Sequence, residues 1–313
     1  MTIRRCRYGL LLSAFCFAAE TAYCGGPGLR GQKCEVGVLE DWCMQLGTGR
    51  NEIETTYSPR VRMAFEINNG KWTAHPSGGI RVAHLEYAGR NEWHSVELPG
   101  AAGVLVSTGV ERYSWYADIG TQKIISALPS GWAALPRTRE YSGELSCPVK
   151  KPWILATCPV NNAASDWSKV PPAGSVDAEA VAYIAEKGPD LYTCEDIKDS
   201  AAETTKAKIS PDMMRTEEAW RAKDGRTLFA LQFSSSACIM NVYGGDESLF
   251  WFIRDAKGHL SFLERGMSLL NVADYDVDGA AELIFWMDAH NMNGYYVLPS
   301  GANKGVAFTW NYH

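Results

Sequence analysis

A short run of acidic residues has the clearest chemical meaning in this sequence. It reads Asp274-Tyr-Asp276-Val-Asp278-Gly279-Ala-Ala-Glu282, so aspartates occupy its first, third and fifth positions. Carboxylates this close together repel one another unless a cation lies between them. Ca²⁺ takes about six to eight oxygen ligands at about 2.3–2.6 Å, and alternate residues of a tight loop can direct their oxygens to one centre. The run therefore predicts a calcium-binding loop.

Five residues of the run are the predicted ligands. The three aspartates would contribute carboxylate oxygens, Glu282 would bind directly or through water, and Ala280 would contribute its main-chain carbonyl. Gly279 allows the sharp turn that directs this carbonyl to the ion. An EF-hand would need a glutamate at the twelfth position and a helix after the loop, but the twelfth residue is Phe285, in a strand-like segment. The alternative is an acidic turn that binds no ion.

With the Leu-Ile-Phe that follows it, the run resembles the FG-GAP/VCBS-type repeat, whose calcium loops lie between strands of β-propeller blades. The resemblance covers about residues 269–298, and residues 291–296 fit the turn and returning strand of such a unit. One intact loop is present and no Phe-Gly…Gly-Ala-Pro element precedes it, so a calcium loop is better supported than a complete propeller. We expect a structural ion, because the apolar residues after the loop would be buried beside it. The resemblance implies the same five ligands, which are Asp274, Asp276, Asp278, Ala280 and Glu282.

No other group of residues in the sequence predicts a catalytic site. The six histidines are scattered, without a His-x-x-x-His or His-x-His pair, and Ser107 lacks the first glycine of a nucleophile elbow. Glycine-rich phosphate loops are absent. These features favour a protein that is not an enzyme. Tryptophans could form a sugar-binding surface, but core positions are favoured for Trp93, Trp115, Trp132, Trp220 and Trp251.

Residues 1–22 have the pattern of a secretory signal peptide. Arginines at positions 4, 5 and 7 precede a twelve-residue apolar run, YGLLLSAFCFAA, which is shorter than the roughly 20 residues of a membrane-spanning helix. No later segment approaches that length, so we expect a secreted or periplasmic protein without a transmembrane segment. The alternative is a short buried helix.

The composition narrows the class of protein. Apolar residues make up 46% of the chain and aromatic residues 11%, which excludes a disordered chain. Loss of residues 1–22 removes three arginines and one glutamate, so the formal net charge changes from −6 to −8. Nucleic acid is not an expected partner, because its phosphates require clustered Lys and Arg.

Seven of the nine cysteines follow residue 22. In an oxidising compartment they would form disulfides, and the lack of a Cys-x-x-Cys pair disfavours a metal site. Spacing alone leaves the connectivity open. We predict Cys147–Cys158, Cys194–Cys238, one bridge among Cys24, Cys34 and Cys43, and one remaining thiol.

Hairpin signals dominate the chain and indicate an all-β fold. The strongest is an alternating strand over residues 61–67 followed by Asn68-Asn69-Gly70, because Asn-Gly accepts the positive φ angles of hairpin turns. Two further hairpins are predicted at residues 218–233, around Asp224-Gly225, and at residues 249–263. Shorter predicted strands cover residues 103–107, 113–119, 153–156, 282–287, 295–298 and 306–311.

One helix is predicted over residues 176–187, capped by Ser175 and ended by Gly188 and Pro189. It lies in a segment rich in Ala, Ser, Asp, Lys and Pro that differs from both flanks. The fold class is therefore all-β, β-propeller-like or a sandwich, with a short partly helical insertion. The predicted parts are a signal peptide at 1–22, an N-terminal β-rich portion at 23–158, a partly helical connector or insertion at 159–215, and a C-terminal β-rich portion at 216–313.

These features predict an extracytoplasmic, calcium-stabilised module that acts in binding or adhesion. Its partner would be a protein or a glycan, which the sequence does not identify. The alternative is a secreted hydrolase that acts on a glycan through an active site not visible in the sequence. A third reading is a structural component of a surface assembly without a small-molecule ligand.

Overall fold

The computed structural model describes residues 33–47, 53–75, 91–95, 104–113, 119–124, 138–139, 145–146, 153–160, 166–188, 191–193, 207–234, 239–241, 249–289 and 292–311. Within these ranges the chain forms twenty strands and one α-helix. This confirms the predicted all-β class. The predicted signal peptide at 1–22 lies outside the described residues.

The first nine strands come from the N-terminal part of the chain. They are β1 (Lys33–Gly47), β2 (Ile53–Asn68), β3 (Lys71–Ala74), β4 (Asn91–His94), β5 (Val104–Tyr113), β6 (Ile119–Ile124), β7 (Thr138–Arg139), β8 (Leu145–Ser146) and β9 (Trp153–Ala156).

The remaining elements include the helix and a short 3₁₀ helix at Pro211–Met213. They are β10 (Trp167–Val170), α1 (Ala178–Lys187), β11 (Leu191–Thr193), β12 (Met214–Ala222), β13 (Thr227–Phe233), β14 (Ile239–Asn241), β15 (Leu249–Arg254), β16 (Leu260–Arg265), β17 (Met267–Ala273), β18 (Glu282–Ala289), β19 (Met292–Leu298) and β20 (Val306–Asn311).

Three large antiparallel sheets contain most of these strands. The first has the order β1-β9-β4-β5-β6-β2-β3, and β1 and β2 also pair directly along their length. The second has the order β10-β12-β13-β15-β16, and the third is the meander β17-β18-β19-β20. Strands β7 and β8, and likewise β11 and β14, form two-stranded sheets.

The β17–β20 sheet lies between the other two, and both of its faces are buried. On one face Leu283 and Phe285 of β18 pack with the second sheet, including Trp251. On the other face Ile284 packs with apolar residues of the first sheet. Because successive residues of a strand point to opposite faces, this double burial explains the uninterrupted apolar run of β18. The sheets are thus stacked face to face, as in a sandwich, and the two β-rich portions share a core.

Helix α1 covers the outer face of the second sheet. Ala180, Val181 and Ile184 are its buried residues, and they pack with apolar side chains of β12, β13 and β15. The helix ends before Gly188, as predicted. The segment at 159–215 that contains it also contributes strand β10 to the second sheet.

The predicted N-cap of this helix was wrong. The helix begins at Ala178 rather than at residue 176, and its cap is Asp177 instead of Ser175. The Asp177 carboxylate accepts hydrogen bonds from the amides of Glu179 and Ala180, both at 3.1 Å. Its other oxygen lies 2.6 Å from Nη2 of Arg254, so the capping residue also forms an ion pair with β15.

The three predicted hairpins are confirmed. Strands β2 and β3 join through Asn69 and Gly70, whose φ angles are 54° and 75°. The β12–β13 hairpin turns through Gly225 at φ 93°, and the β15–β16 hairpin turns through Gly258 at φ 90°. Predicted strands 153–156 and 306–311 match β9 and β20, while those at 103–107, 282–287 and 295–298 are parts of longer strands. The interior of the predicted strand at 113–119 lies outside the described residues.

A disulfide joins Cys34 to Cys158, with the Cα atoms 5.6 Å apart. The predicted partner of Cys158, Cys147, was therefore wrong. Strand β1 pairs with β9 in the register Val36 to Ala156, and continuing this register by two residues places Cys34, within β1, opposite Cys158, two residues beyond the end of β9. The other predicted pair, Cys194 and Cys238, lies outside the described residues.

No helix in the described ranges combines the length and the apolar character needed to span a lipid bilayer.

Candidate metal centre

The acidic run forms the connection between β17 and β18. Strand β17 ends at Ala273, β18 begins at Glu282, and these two residues are partners in the antiparallel register. The pairing therefore brings the first acidic residue, Asp274, next to the last one. Within the loop Val277 has φ 56° and Gly279 has φ 94°, so the backbone turns sharply twice.

Three of the predicted ligands meet in the structure. Carboxylate oxygens of Asp274, Asp276 and Glu282 lie within 4.8 Å of one another. Their side chains are buried, with exposed fractions of 0%, 4% and 0%. A group of three carboxylates at this spacing, shielded from water, has the donor set and the separation that a hard cation requires.

The other two predicted ligands lie in the same loop but outside this group of three. Asp278 is half-buried; one carboxylate oxygen accepts a hydrogen bond from the Ala280 amide at 2.8 Å. Its second oxygen accepts a hydrogen bond from the Ser300 hydroxyl at 2.7 Å. Ala280 itself is buried.

Main-chain amides hold the first two aspartates in place. The oxygens of Asp274 accept hydrogen bonds from the amides of Asp278 and Gly279, each at 3.1 Å. Asp276 accepts a hydrogen bond from the Asp278 amide at 3.2 Å. The loop thus satisfies part of the hydrogen-bonding capacity of these carboxylates with its own backbone, which fixes their orientation.

Glu282 is satisfied at one oxygen only. Oε2 accepts a hydrogen bond from the Tyr275 amide at 2.8 Å, whereas Oε1 is fully buried and has no hydrogen-bond partner among the described residues. A buried acceptor without a partner costs roughly 1–3 kcal/mol, and more if it is charged. A cation at this oxygen would remove that cost.

Burial favours the protonated form of all three carboxylates. It raises the pKa of Asp274 and, with the nearby charge of Asp278, raises the pKa of Asp276 to about 6. Burial, followed by the charge of Asp276, raises the pKa of Glu282 well above its usual value. Each shift reports an environment that disfavours negative charge in the absence of a compensating cation.

Two side chains at this site were not predictable from the acidic run. The indole of Trp72, on β3 of the first sheet, faces Asp276 and favours the ionised form of that carboxylate. The indole N–H is buried, and among the described residues no acceptor lies within hydrogen-bonding limits of it. Ser300 reaches Asp278 from the turn after β19. Neither belongs to the acidic run, and only the packing of the sheets brings them to it.

The remaining residues considered for chemistry are structural where they are described. Ser107 is buried and accepts a hydrogen bond from the Trp93 indole at 2.8 Å. Trp93 and Trp251 are core residues, as predicted, and Trp220 is half-buried. Trp115 and Trp132 lie outside the described residues.

Comparison of this chain with protein-family models, with curated proteins and with solved structures finds no match. The geometry of the site is that of a buried group of carboxylates able to hold a cation.

Proposed function

We propose that the loop at residues 274–282 binds one structural Ca²⁺ and that the protein is an extracytoplasmic, β-rich binding or adhesion module. The observation that carries the calcium proposal is the buried Oε1 of Glu282, which has no partner and belongs to a carboxylate grouped with those of Asp274 and Asp276. Asp278 and the Ala280 carbonyl remain the further ligands proposed from the sequence.

The donor set supports calcium over a transition metal. The grouped side chains offer oxygen alone, which suits Ca²⁺ and other hard cations, whereas Zn²⁺ sites use histidine and cysteine. The four-stranded meander β17–β20, with the loop between its first two strands, also agrees with the proposed relation to the FG-GAP/VCBS-type repeat.

A structural role follows from where the loop lies. It connects two strands of the central sheet, Tyr275 is part of the core shared with the first sheet, and Trp72 of that sheet faces Asp276. An ion held here would stabilise the contact between the sheets, because a ligand that binds only the folded state adds to its stability.

The extracytoplasmic setting is supported by the disulfide between Cys34 and Cys158, since such bonds persist in oxidising compartments. It also agrees with the signal-peptide pattern of residues 1–22. The partner proposed for the module is a protein or a glycan.

Thermal unfolding with calcium and with a chelator tests the calcium proposal. At about 10 mM Ca²⁺, roughly 100 times a Kd of about 10⁻⁴ M, the expected stabilisation is about 2.7 kcal/mol. Asp276→Ala should abolish this increment. Asp255→Ala, in the β15–β16 turn, is the matched control and should retain it. An unchanged Tm of the native protein in calcium would contradict the proposal.

A further inference from the structure

A small cavity lies between helix α1 and the edge of the second sheet. Its volume is about 230 Å³. Helix α1 contributes Tyr183 and Lys187 to its wall, and β15 and β16 contribute Phe250, Phe262 and Arg265. Drug-sized ligands occupy roughly 300–1,000 Å³, so this cavity fits a smaller molecule with a single ring.

Aromatic side chains form the apolar part of the cavity. Phe250, which is 1% exposed, lines it. Tyr183 and Phe262 stack with their ring centroids 5.1 Å apart and an interplanar angle of 28°. Tyr183 is also 38% exposed, which makes it the large apolar side chain most open to solvent among the described residues. These rings offer a surface to a flat apolar face of a ligand.

Two cationic residues, Lys187 and Arg265, line the cavity together with the aromatic side chains. Lys187 is in the last turn of α1, while Arg265 opposes Phe250 in the β15–β16 register and therefore lies on the same face of the sheet. The cavity also has one acid, Glu264, and an oxygen of this carboxylate accepts a hydrogen bond from the Arg265 amide at 3.0 Å. The charged side chains of the wall thus carry a net positive charge.

The side chain of Lys187 is available to a ligand although it forms an ion pair. Its Nζ lies 2.8 Å from the carboxylate of Glu186, and both side chains are mostly exposed. Exposed ion pairs of this kind are weak because water screens them, so a ligand carboxylate can replace Glu186 at small cost.

We propose that this cavity binds a small carboxylate with a flat apolar face, which stacks on Tyr183 while its carboxylate pairs with Lys187 and Arg265. A uronic acid unit of a glycan and an aromatic carboxylate share this chemistry. The proposal names a ligand class for the proposed binding module, and it rests on that part of the proposed function and not on calcium. The cavity lies on the helix-covered face of the second sheet, whereas the acidic loop lies beside the other face.

An NMR titration of the full protein in calcium tests the proposal with three probes: methyl glucuronide, methyl glucoside and benzoate. Probe concentrations up to about 10 mM reveal dissociation constants near 1 mM. Binding of the glucuronide with at least tenfold preference over the uncharged glucoside identifies a uronic acid, and binding of benzoate alone identifies an aromatic carboxylate. Either result supports the proposal, whereas equal binding of glucuronide and glucoside, or binding of none of the probes, overturns it.

Two lysine variants locate the binding site. Lys187→Gln should weaken binding of the charged probe about tenfold, as expected for one lost charge-assisted hydrogen bond. Lys257→Gln, in the β15–β16 turn and outside the cavity wall, makes the same change of charge and should bind normally. Equal affinities of the two variants would overturn the assignment. Tyr183→Leu, which retains an apolar side chain, should bind at least tenfold more weakly than the native protein while remaining folded by circular dichroism.

Thermal unfolding of the same samples separates this proposal from the calcium proposal. Binding of the glucuronide without stabilisation by calcium would support the cavity assignment and contradict the metal site. Stabilisation by calcium without binding of the probes would support the metal site and contradict the cavity assignment.

Discussion

Two buried glutamates of this protein are satisfied in different ways. Glu35, on β1, is 4% exposed; its oxygens lie 2.6 Å from Nε2 of His75 and 3.3 Å from Nζ of Lys33. Glu282, on β18, is fully buried, has one oxygen without a partner, and faces Asp274 and Asp276 instead of cations. The first side chain pairs with neighbouring residues of the chain, whereas the described residues supply no partner for one oxygen of the second.

This difference separates a structural ion pair from a candidate binding site. A buried carboxylate is tolerated when hydrogen bonds and opposite charges replace its hydration. Glu35 meets that condition through residues of the first sheet, so its environment implies no ligand. Glu282 does not meet it, and a cation or a proton is the species that can complete its environment. Four predictions sharpen the comparison.

The largest loss of stability is expected from removal of the disulfide next to Glu35. The bond between Cys34 and Cys158 spans a sequence separation of 124 residues. Replacing both cysteines by alanine should lower the free energy of unfolding by about 4 kcal/mol, because a loop of that length restricts the unfolded chain strongly. Denaturant titration measures the change. The calcium-dependent increment in Tm should persist in the variant; its disappearance would show that the two regions are not separate.

Matched glutamine substitutions of the two glutamates should differ in sign when a chelator is present. Glu35→Gln should lower the free energy of unfolding by about 2 kcal/mol, because it weakens charged hydrogen bonds to His75 and Lys33. Glu282→Gln should leave it unchanged or raise it by up to about 1 kcal/mol, since it removes repulsion from two neighbouring carboxylates. Equal destabilisation by the two variants would refute the comparison. In calcium, Glu282→Gln should lose the stabilising increment.

A third carboxylate, Asp177, extends the comparison to a site where both oxygens have partners. It caps helix α1 and pairs with Arg254. Asp177→Ala should lower the free energy of unfolding by about 1–2 kcal/mol. Ser175→Ala is the matched control and should change it by less than about 0.5 kcal/mol. If the two substitutions had the same effect, the cap would have been assigned to the wrong residue.

The smallest change in the free energy of unfolding is expected from a change of pH. Burial raises the pKa of Asp274, of Asp276 to about 6, and of Glu282, whereas unfolded carboxylates titrate near about 4. Between these values the folded state binds more protons than the unfolded state, so stability in chelator should increase as the pH falls from 7.5 to about 5. The expected gain is on the order of 1 kcal/mol, or a few degrees in Tm.

Calcium should reverse this dependence on pH, because protons compete with the ion for the same oxygens. The increment in Tm on adding calcium should therefore shrink between pH 7.5 and 5. Asp276→Asn provides the control, since the variant lacks one of the titrating groups and should show a weaker rise in chelator. A steady loss of stability in chelator over this range would contradict the assignment of raised pKa values.

Much of the fold was predictable because its signals are local. Asn69 and Gly70 take the positive φ angles that a tight hairpin turn demands, and in β3, which follows the turn, Trp72 is buried between the exposed Lys71 and Thr73. Within the candidate site, the alternation of Asp274 and Asp276 and the glycine at 279 likewise act within a few residues of one another. Such features require no knowledge of the rest of the chain.

The errors concern contacts between distant segments. Cys34 meets Cys158 because β1 pairs with β9, although Cys147 is nearer in sequence. Asp177 is the cap in place of Ser175, and it also contacts Arg254 on β15. Trp72 and Ser300 reach the acidic loop from other strands and turns. No local pattern encodes Cys158, Arg254, Trp72 or Ser300 as partners, because these contacts depend on how the sheets pair and stack. The cap itself is local, since Asp177 accepts hydrogen bonds from the amides two and three residues further along the chain.

The sequence by itself determined the all-β class, the three hairpins and a loop in which carboxylates are concentrated, since turn chemistry and the alternation of side chains act over short distances. The tertiary structure alone decided which carboxylates are grouped, that their burial raises their pKa values, and that one oxygen of Glu282 has no partner. Burial is a property of the stacked sheets, and it makes the negative charge of these carboxylates unfavourable unless a cation or a proton is bound.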